Sequence, residues 1–517
     1  MNPNYTAETL QLMKSALGAQ LDGRSFAPLQ KAAVGVSGNI IGYDLMAPAK
    51  LLIPFLTPVR NSLPRRSRAA NPGNAANWKV IQAISDQGFI RQGYVNEGAR
   101  AGQITFSAAD KSAAYRTLGL EDALTFEAES AAQGFEDANA LATFLLLEQM
   151  MVKEEMTLKA GNYSLTLGTP TTPTASASGS GATLTAATYL VSVVALTQEG
   201  YSQSSLAGGV ATSKQVTGPD GKVSTINGGS SNVSSAASQA VTLGQTLFAS
   251  TPVVNGAVAY AWFVGTSGNQ KLEAITTINS VKFSAPLAGT GQAIAAITGD
   301  KSANNGTLGG GTNQVTAFDG LLTTTFVAGA AGNAYVKALA TGTAGTGTSL
   351  TATGAGTVVE IDELLFQMWN LYKIGPTRIR MNAQQIRDVT KLCLNSASAP
   401  LLRINQDSNA QGGNALAAGT VIKWYYNAFA PNGGYMIPVE IDPDLAPGTI
   451  LFQCEQLPAQ FKSNETPTVA EVLTRRDYYR IDWPLTTRER QYGVYSEEVL
   501  AVYAPFGFAV LTNIAPN

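Results

Sequence analysis

Arginine disappears from the middle of this 517-residue chain. It stands at Arg24, Arg60, Arg65, Arg66, Arg68, Arg91, Arg100 and Arg116, and then not again until Arg378. Charge thins in the same stretch. Between Leu165 and Val315 the only charged residues are Glu199, Lys214, Asp220, Lys222, Lys271, Glu273, Lys282, Asp300 and Lys301, while the rest of the chain carries 61. One continuous core does not change composition so abruptly, so the contrast marks residues 165–315 as an inserted module. The length agrees, since at about 150 residues per domain a chain of this size divides into two to four. Apolar residues make up 45% and mean hydropathy is +0.04. That is globular composition, and it excludes disorder driven by charge.

Within the module, Thr188–Thr197, Ala257–Val264 and Leu272–Ile278 are β-rich runs with partial alternation, separated by Gly, Ser and Asn. They predict a small β-sandwich. Tyr189, Val191 and Val193, followed by the turn sequence Gln198–Ser202, resemble the strands of fibronectin type III and immunoglobulin-like modules.

Outside the module the helical signals are stronger. Phe135–Lys159 has apolar residues near helical spacing and neither Gly nor Pro, with acids at its start and lysines at its end, as the helix dipole favours. A helix this long outside a heptad repeat needs a sheet to pack on, and Leu141, Phe144, Leu145 and Met151 are its expected contacts. Val359–Tyr372 reads as a second helix, Arg378–Met381 as a short strand and Ala383–Leu394 as a third helix. Val421–Tyr426, Thr449–Cys454 and Glu498–Tyr503 read as strands. The fold class is α+β.

Chemistry is scarce. The chain has no histidine, which removes Ser-His-Asp and Cys-His catalysis and His-based zinc sites. Cys393 and Cys454 read as buried free thiols. Gly221-Lys222 is followed by valine, so there is no phosphate loop. Gly289–Ile294 fails the dinucleotide pattern and Gly347–Thr351 fails the nucleophile elbow. The adjacent acids Glu154-Glu155, Asp362-Glu363 and Glu497-Glu498 diverge on a helix or strand and read as solvated charge. Asp442-Pro443-Asp444 reads as a turn, not a calcium loop. No enzyme, cofactor or metal is expected. The net charge of -2 carries no polyanion-binding excess. The apolar stretch Ile40–Val59 is broken by Asp44, Lys50 and three prolines, so no membrane span is expected. The N-terminal sequence shows no export signal, which predicts a soluble protein made in the cytoplasm.

Two arginine clusters remain. Arg60, Arg65, Arg66 and Arg68 lie among prolines, as in an extended arm or loop; Arg475, Arg476 and Arg480, with Arg488 and Arg490, lie near Asp477, Asp482 and Glu489. Nucleic acid could pair with either. The negative net charge and the neighbouring acids favour guanidinium–carboxylate pairing across subunit boundaries, for which the forked arginine head is suited. Arg60, Arg65, Arg66, Arg68, Arg475, Arg476 and Arg480 are therefore the candidate intersubunit contacts.

The order of these pieces resembles the major capsid protein of tailed bacteriophages, the HK-97-like capsid fold. The resemblance is closest at Ala317–Leu322 (AFDGLL), Ile361–Asn382 (IDELLFQMWNLYKIGPTRIRMN) and Val494–Leu511 (VYSEEVLAVYAPFGFAVL), and it covers about 350 residues outside the insert. It implies an N-terminal arm at 1–59, an E-loop at 60–116 and a peripheral domain with spine helix at 117–164. The inserted immunoglobulin/fibronectin-like β-sandwich follows at 165–315, then an axial α/β domain at 316–475 and a return to the peripheral domain at 476–517. It also implies self-assembly into the pentamers and hexamers of an icosahedral shell around packaged double-stranded DNA, bound without sequence specificity. A portal is implied, and a separate scaffolding protein, because only 59 residues precede the E-loop. The expected location is the virion, assembled in the host bacterial cytoplasm. A bacterial cell-surface adhesin or surface-layer protein is the alternative suggested by the Ser/Thr/Gly-rich centre. A secreted polysaccharide hydrolase would need convergent carboxylates in a cleft.

Overall fold

A computed structural model describes residues 51–68, 73–85, 94–132, 137–308, 313–354, 356–394, 422–430, 434–458, 461 and 468–517. The chain divides into two units, Met1–Ile53 with Glu127–Ala138, and Pro54–Phe126 with Asn139–Asn517. In the first, the described part is chiefly helix α2 (Phe126–Ala132), with Glu127 and Glu129 in its opening turn. The arm expected at 1–59 falls almost wholly outside the described residues.

The second unit opens with a short helix, α1 (Pro58–Ser62), and strand β1 (Arg65–Ser67). A long hairpin follows, β2 (Ala75–Ser85) with β3 (Thr105–Ala114), and then β4 (Arg116–Thr125). Helix α3 (Ala138–Ala160) spans about 35 Å at 1.5 Å per residue. It lies on a four-stranded sheet in the order β1-β19-β20-β4, where β19 is Ala470–Asp482 and β20 is Glu489–Val502. Leu146 and Met150 of α3 share a buried cluster with Tyr492 and Val494 of β20. The buried face is therefore one step round from the expected one: Leu146, Met150, Glu154 and Leu158 recur every four residues and are enclosed, whereas Phe144 is 48% exposed and Leu141, Leu145 and Met151 are half-buried. One of these four positions, Glu154, carries no hydropathy signal, because it is a carboxylate.

The insert region holds β5 (Thr174–Ser178), β6 (Ala187–Leu196), helix α4 (Gln198–Gln203), a small hairpin of β7 (Ser213–Thr217) and β8 (Val223–Asn227), β9 (Ala237–Val241), β10 (Thr246–Ser250), β11 (Ala259–Gly265), β12 (Lys271–Thr276) and β13 (Ser280–Phe283). They form a sheet β13-β10-β5 and a sheet β12-β11-β6-β9. Leu247 and Ala249 of the first share one buried cluster with Val191, Tyr260 and Trp262 of the second. The opposite face of β6 and β11 is covered too: Val194, Ala261 and Phe263 enter a cluster with Ile297. Burial on both faces is why β11 reads as a nearly continuous apolar run.

This region is stitched to the rest. Asn162 Nδ2 donates to Ser302 O at 2.8 Å where the chain leaves and returns. The Gln198 side chain donates to Asp444 O at 2.6 Å and accepts from Ala446 N–H at 3.0 Å, as a backbone strand would. Asn279 and Asn513, both buried, bond each other. Val258 joins a core cluster with Leu322, Phe326 and Val510.

The last region has helices α5 (Leu321–Ala330), α6 (Val359–Tyr372) and α7 (Ala383–Leu394) with β14 (Tyr335–Ala338), β15 (Arg378–Met381), β16 (Trp424–Asn427), β17 (Tyr435–Ile441), β18 (Ile450–Gln453) and β21 (Phe508–Thr512). Its mixed sheet runs β14-β21-β18-β15-β17-β16. Helix α6 buries Ile361, Leu364, Leu365 and Met368, one helical stripe, and stops at Lys373 in the left-handed region (φ 55°), three residues before Pro376.

Candidate functional site: a clamped strap and an uncovered hairpin

The stretch read as an extended arm at Arg60–Arg68 instead folds as α1 and β1 against α3. Glu155 Oε1 accepts from Val59 N–H at 3.0 Å and its Oε2 from Arg60 N–H at 2.6 Å, so a side chain from another helix satisfies the first amides of α1. Glu155 in turn lies 3.5 Å from Lys159 Nζ, which is fully buried and bonded to Asp442 Oδ1 at 2.6 Å. Burial raises the Glu155 pKa above the ordinary carboxyl value, although Lys159 and the two amides work against that. Arg380, fully buried, donates to Pro58 O at 3.2 Å and Ser62 Oγ at 2.8 Å, and burial depresses its pKa.

One residue away, Glu154 is enclosed and gathers both arginines. Arg60 Nε meets it at 2.8 Å, Arg65 bonds its other oxygen, and the Tyr478 hydroxyl also donates to it. Arg65 reaches further, to Asp477 at 2.7 Å and buried Glu498 at 2.9 Å. Burial works against the Arg65 charge, but Glu154, Glu498 and Asp477 outweigh it and raise its pKa. Burial, with Glu154 adding to it, pushes the Glu498 carboxyl up to about 7.

The remaining candidates also find partners inside the chain. Arg66 pairs with Glu471, which also takes the Tyr503 hydroxyl; Arg475 pairs with Glu497; Arg480 meets Asp482 at 2.8 Å and stacks over Tyr492 at 4.4 Å. Arg476 stacks over Tyr479 at 5.6 Å. Arg68 donates its backbone N–H to Thr474 O at 2.8 Å. Among the described residues neither Arg68 nor Arg476 makes an ion pair. The acids Glu154, Glu155, Glu497 and Glu498, read from sequence as solvated, are buried, and so is Asp442. Adjacent residues on α3 do diverge, but each direction meets a different cation.

The hairpin β2–β3 is the opposite case. Ile81, Ile104 and Phe106 are exposed, Phe106 by 69%, and Tyr94 beside the far turn by 95%. At its root lies a cavity of about 640 Å³ walled by Trp78 and Lys111 of the hairpin, Val327 and Ala331 at α5, and Tyr503 and Phe506. Trp78 meets Tyr503 edge-on at 5.4 Å, and its buried indole N–H has no partner among the described residues. Among the described residues no group of acids and cysteines is placed to hold a metal, and no helix is long and apolar enough to cross a membrane.

No protein-family model matches the sequence, and neither does any curated protein. Among solved structures, the chain is similar to the capsid of a native GTA particle, at 9% identity over 94% of this chain and 100% of that one, with a TM-score of 0.39. It is similar to the capsid of the Myoviridae phage XM1 at 8% identity over 95% and 100%, TM-score 0.39. It is also similar to the holo-SrpI encapsulin complex from Synechococcus elongatus PCC 7942 at 9% identity over 93% and 95%, TM-score 0.36. With TM-scores below 0.5, all three superpositions are loose.

Proposed function

We propose that this chain is a shell subunit, the major capsid protein of a tailed bacteriophage, assembling with copies of itself into an icosahedral particle around double-stranded DNA. The observation that carries this reading is the hairpin. Strands of eleven and ten residues project with apolar side chains bare. A two-stranded hairpin alone is marginal in water, so this one is completed by another molecule. The resemblance at Ala317–Leu322, Ile361–Asn382 and Val494–Leu511 names that molecule as a second copy, with β2–β3 as the E-loop and α3 as the spine. The paired sheets of residues 165–315 are then an immunoglobulin-like sandwich carried on the shell, and Arg68 and Arg476 are the candidates left to meet a neighbour's carboxylates. A portal and a separate scaffolding protein complete the assembly.

Electron microscopy of the purified chain, with and without candidate scaffolding protein, tests the reading. Rings or closed shells support it. Open planar arrays would favour a surface-layer protein, and dispersed monomers at high concentration would overturn both.

A further inference from the structure

We propose that Asn255 is a self-acting modification site: its side-chain amide is displaced by the backbone nitrogen of Gly256, and the acid that results loosens an anchor of the inserted region. The reaction consumes only water and is independent of the shell reading.

Asparagine followed by glycine is the pair in which this displacement meets least hindrance, because glycine puts no Cβ beside the attacking nitrogen. The chain has four such pairs, at Asn227, Asn255, Asn305 and Asn432, the last outside the described residues. Two are held. Asn227 is buried, its Nδ2 donates to Ala303 O at 2.8 Å and Leu308 O at 3.0 Å, and the Gly228 N–H donates to Thr212 O at 2.7 Å. Asn305 Oδ1 accepts from Thr307 N–H at 3.0 Å, Thr307 Oγ1 at 3.1 Å and Leu308 N–H at 2.7 Å, which fixes its carboxamide. Asn255 is exposed, and among the described residues its side chain makes a single long hydrogen bond, Nδ2 to Phe326 O at 3.4 Å. The Gly256 N–H finds no acceptor among the described residues. The turn itself requires the glycine: Ala257 N–H closes it by donating to Val254 O at 3.1 Å, and Gly256 sits at φ 88°, where an added Cβ would also strike the Leu165 side chain.

Solvent hydroxide takes the Gly256 amide proton, and the nitrogen attacks Asn255 Cγ. The new C–N bond closes a succinimide ring, the Cγ–Nδ2 bond breaks, and the amide leaves as ammonia after taking a proton from water. Water then opens the ring at either carbonyl, leaving an aspartate or an isoaspartate, whose chain runs through the side-chain carbon. Just past this turn Val258 is buried with Leu322, Phe326, Leu445 and Val510. A carboxylate at 255 loses the donor to Phe326 O and opposes that carbonyl with like charge, and isoaspartate lengthens the turn by one backbone carbon. Each strains the segment that seats Val258.

The test incubates the purified full chain at mildly alkaline pH, folded or unfolded in urea, and follows amide loss at each asparagine by peptide mass spectrometry. In the folded chain Asn255 is expected to convert about tenfold or more ahead of Asn227 and Asn305, whereas in urea the three should convert at similar rates. Folded-state rates at Asn227 or Asn305 that match Asn255 would overturn the site. Binding of a hydrophobic dye by the folded chain should rise in step with conversion at 255. Asn255→Gln, whose longer side chain closes the ring slowly, should keep its amide and show no rise. A rise of equal size in Asn255→Gln, or full conversion of the wild type without one, would overturn the loosening.

Discussion

Glu154 and Glu155 sit side by side on α3 and do different work: one neutralises two arginines, the other caps a helix that is not its own. Removing Glu154 takes from Arg60 the carboxylate it pairs with in a half-buried site and leaves Arg65 to Asp477 and Glu498. Glu154→Ala is expected to cost about 2–3 kcal/mol, read from urea midpoints, because Arg60 and the Tyr478 hydroxyl lose their shared acceptor. Glu498 gives a pH signature. Its folded pKa of about 7 lies above the ordinary value of 4.5, so the folded state holds its proton more tightly than the unfolded chain does. Its contribution is full below about pH 4.5 and is lost as pH rises through 7. Stability should fall by roughly 2–3 kcal/mol between about pH 5 and about pH 8 from this group, and Glu498→Gln should flatten that part of the profile. A fall of equal size in the variant would place the titration elsewhere. None of this was legible in the sequence. A carboxylate beside a carboxylate looks solvated until the partners are known, and those partners lie about a hundred to more than four hundred positions away.

Elements were more legible than their faces. Helices at Val359–Tyr372 and Ala383–Leu394 and the strand at Arg378–Met381 stand where periodicity and Pro376 put them, because local signals decide them. For α3 the periodicity found the helix and missed its inner side by one step, since the deciding contacts, Tyr492 and Val494, come from the far end of the chain. The consequence is measurable: Met150→Ala should cost about 2–5 kcal/mol, while Phe144→Ala should cost well under 1. The C-terminal end of α3 adds a stricter test. Gly320 opens α5 by donating to Gly161 O at 2.8 Å, and a Cβ on Gly320 would meet Thr157 O at 2.8 Å and two amide nitrogens at 2.9 Å. These obstacles are backbone atoms and cannot swing aside. Gly320→Ala should therefore lower the unfolding temperature although its φ of -79° suits alanine.

For the whole molecule, the stretch poor in charge is the stretch that holds β5 to β13, and strands covered on two faces have little use for charge. Composition could not show how firmly that region is fastened. Gln198, Asn279 and Val258 all anchor it, so replacing residues 165–315 by a short linker would bare Leu322, Phe326, Leu445 and Val510. That deletion should give a less stable chain that binds a hydrophobic dye, and polar substitutions at those four positions should reduce the binding. A deletion chain with wild-type stability and no dye signal would show the region to be freely tethered.

The stitch at the region's neck has a use of its own. Asn162 O accepts from Asn304 N–H at 2.8 Å, and Asn162 Nδ2 reaches Ser302 O, so the outgoing and incoming chain are already neighbours before anything is built between them. A foreign domain whose own ends lie a few ångströms apart could be spliced there at almost no loop-closure entropy. The neck is thus a port at which another sequence could be carried, provided the substitute also covers the apolar patch beneath.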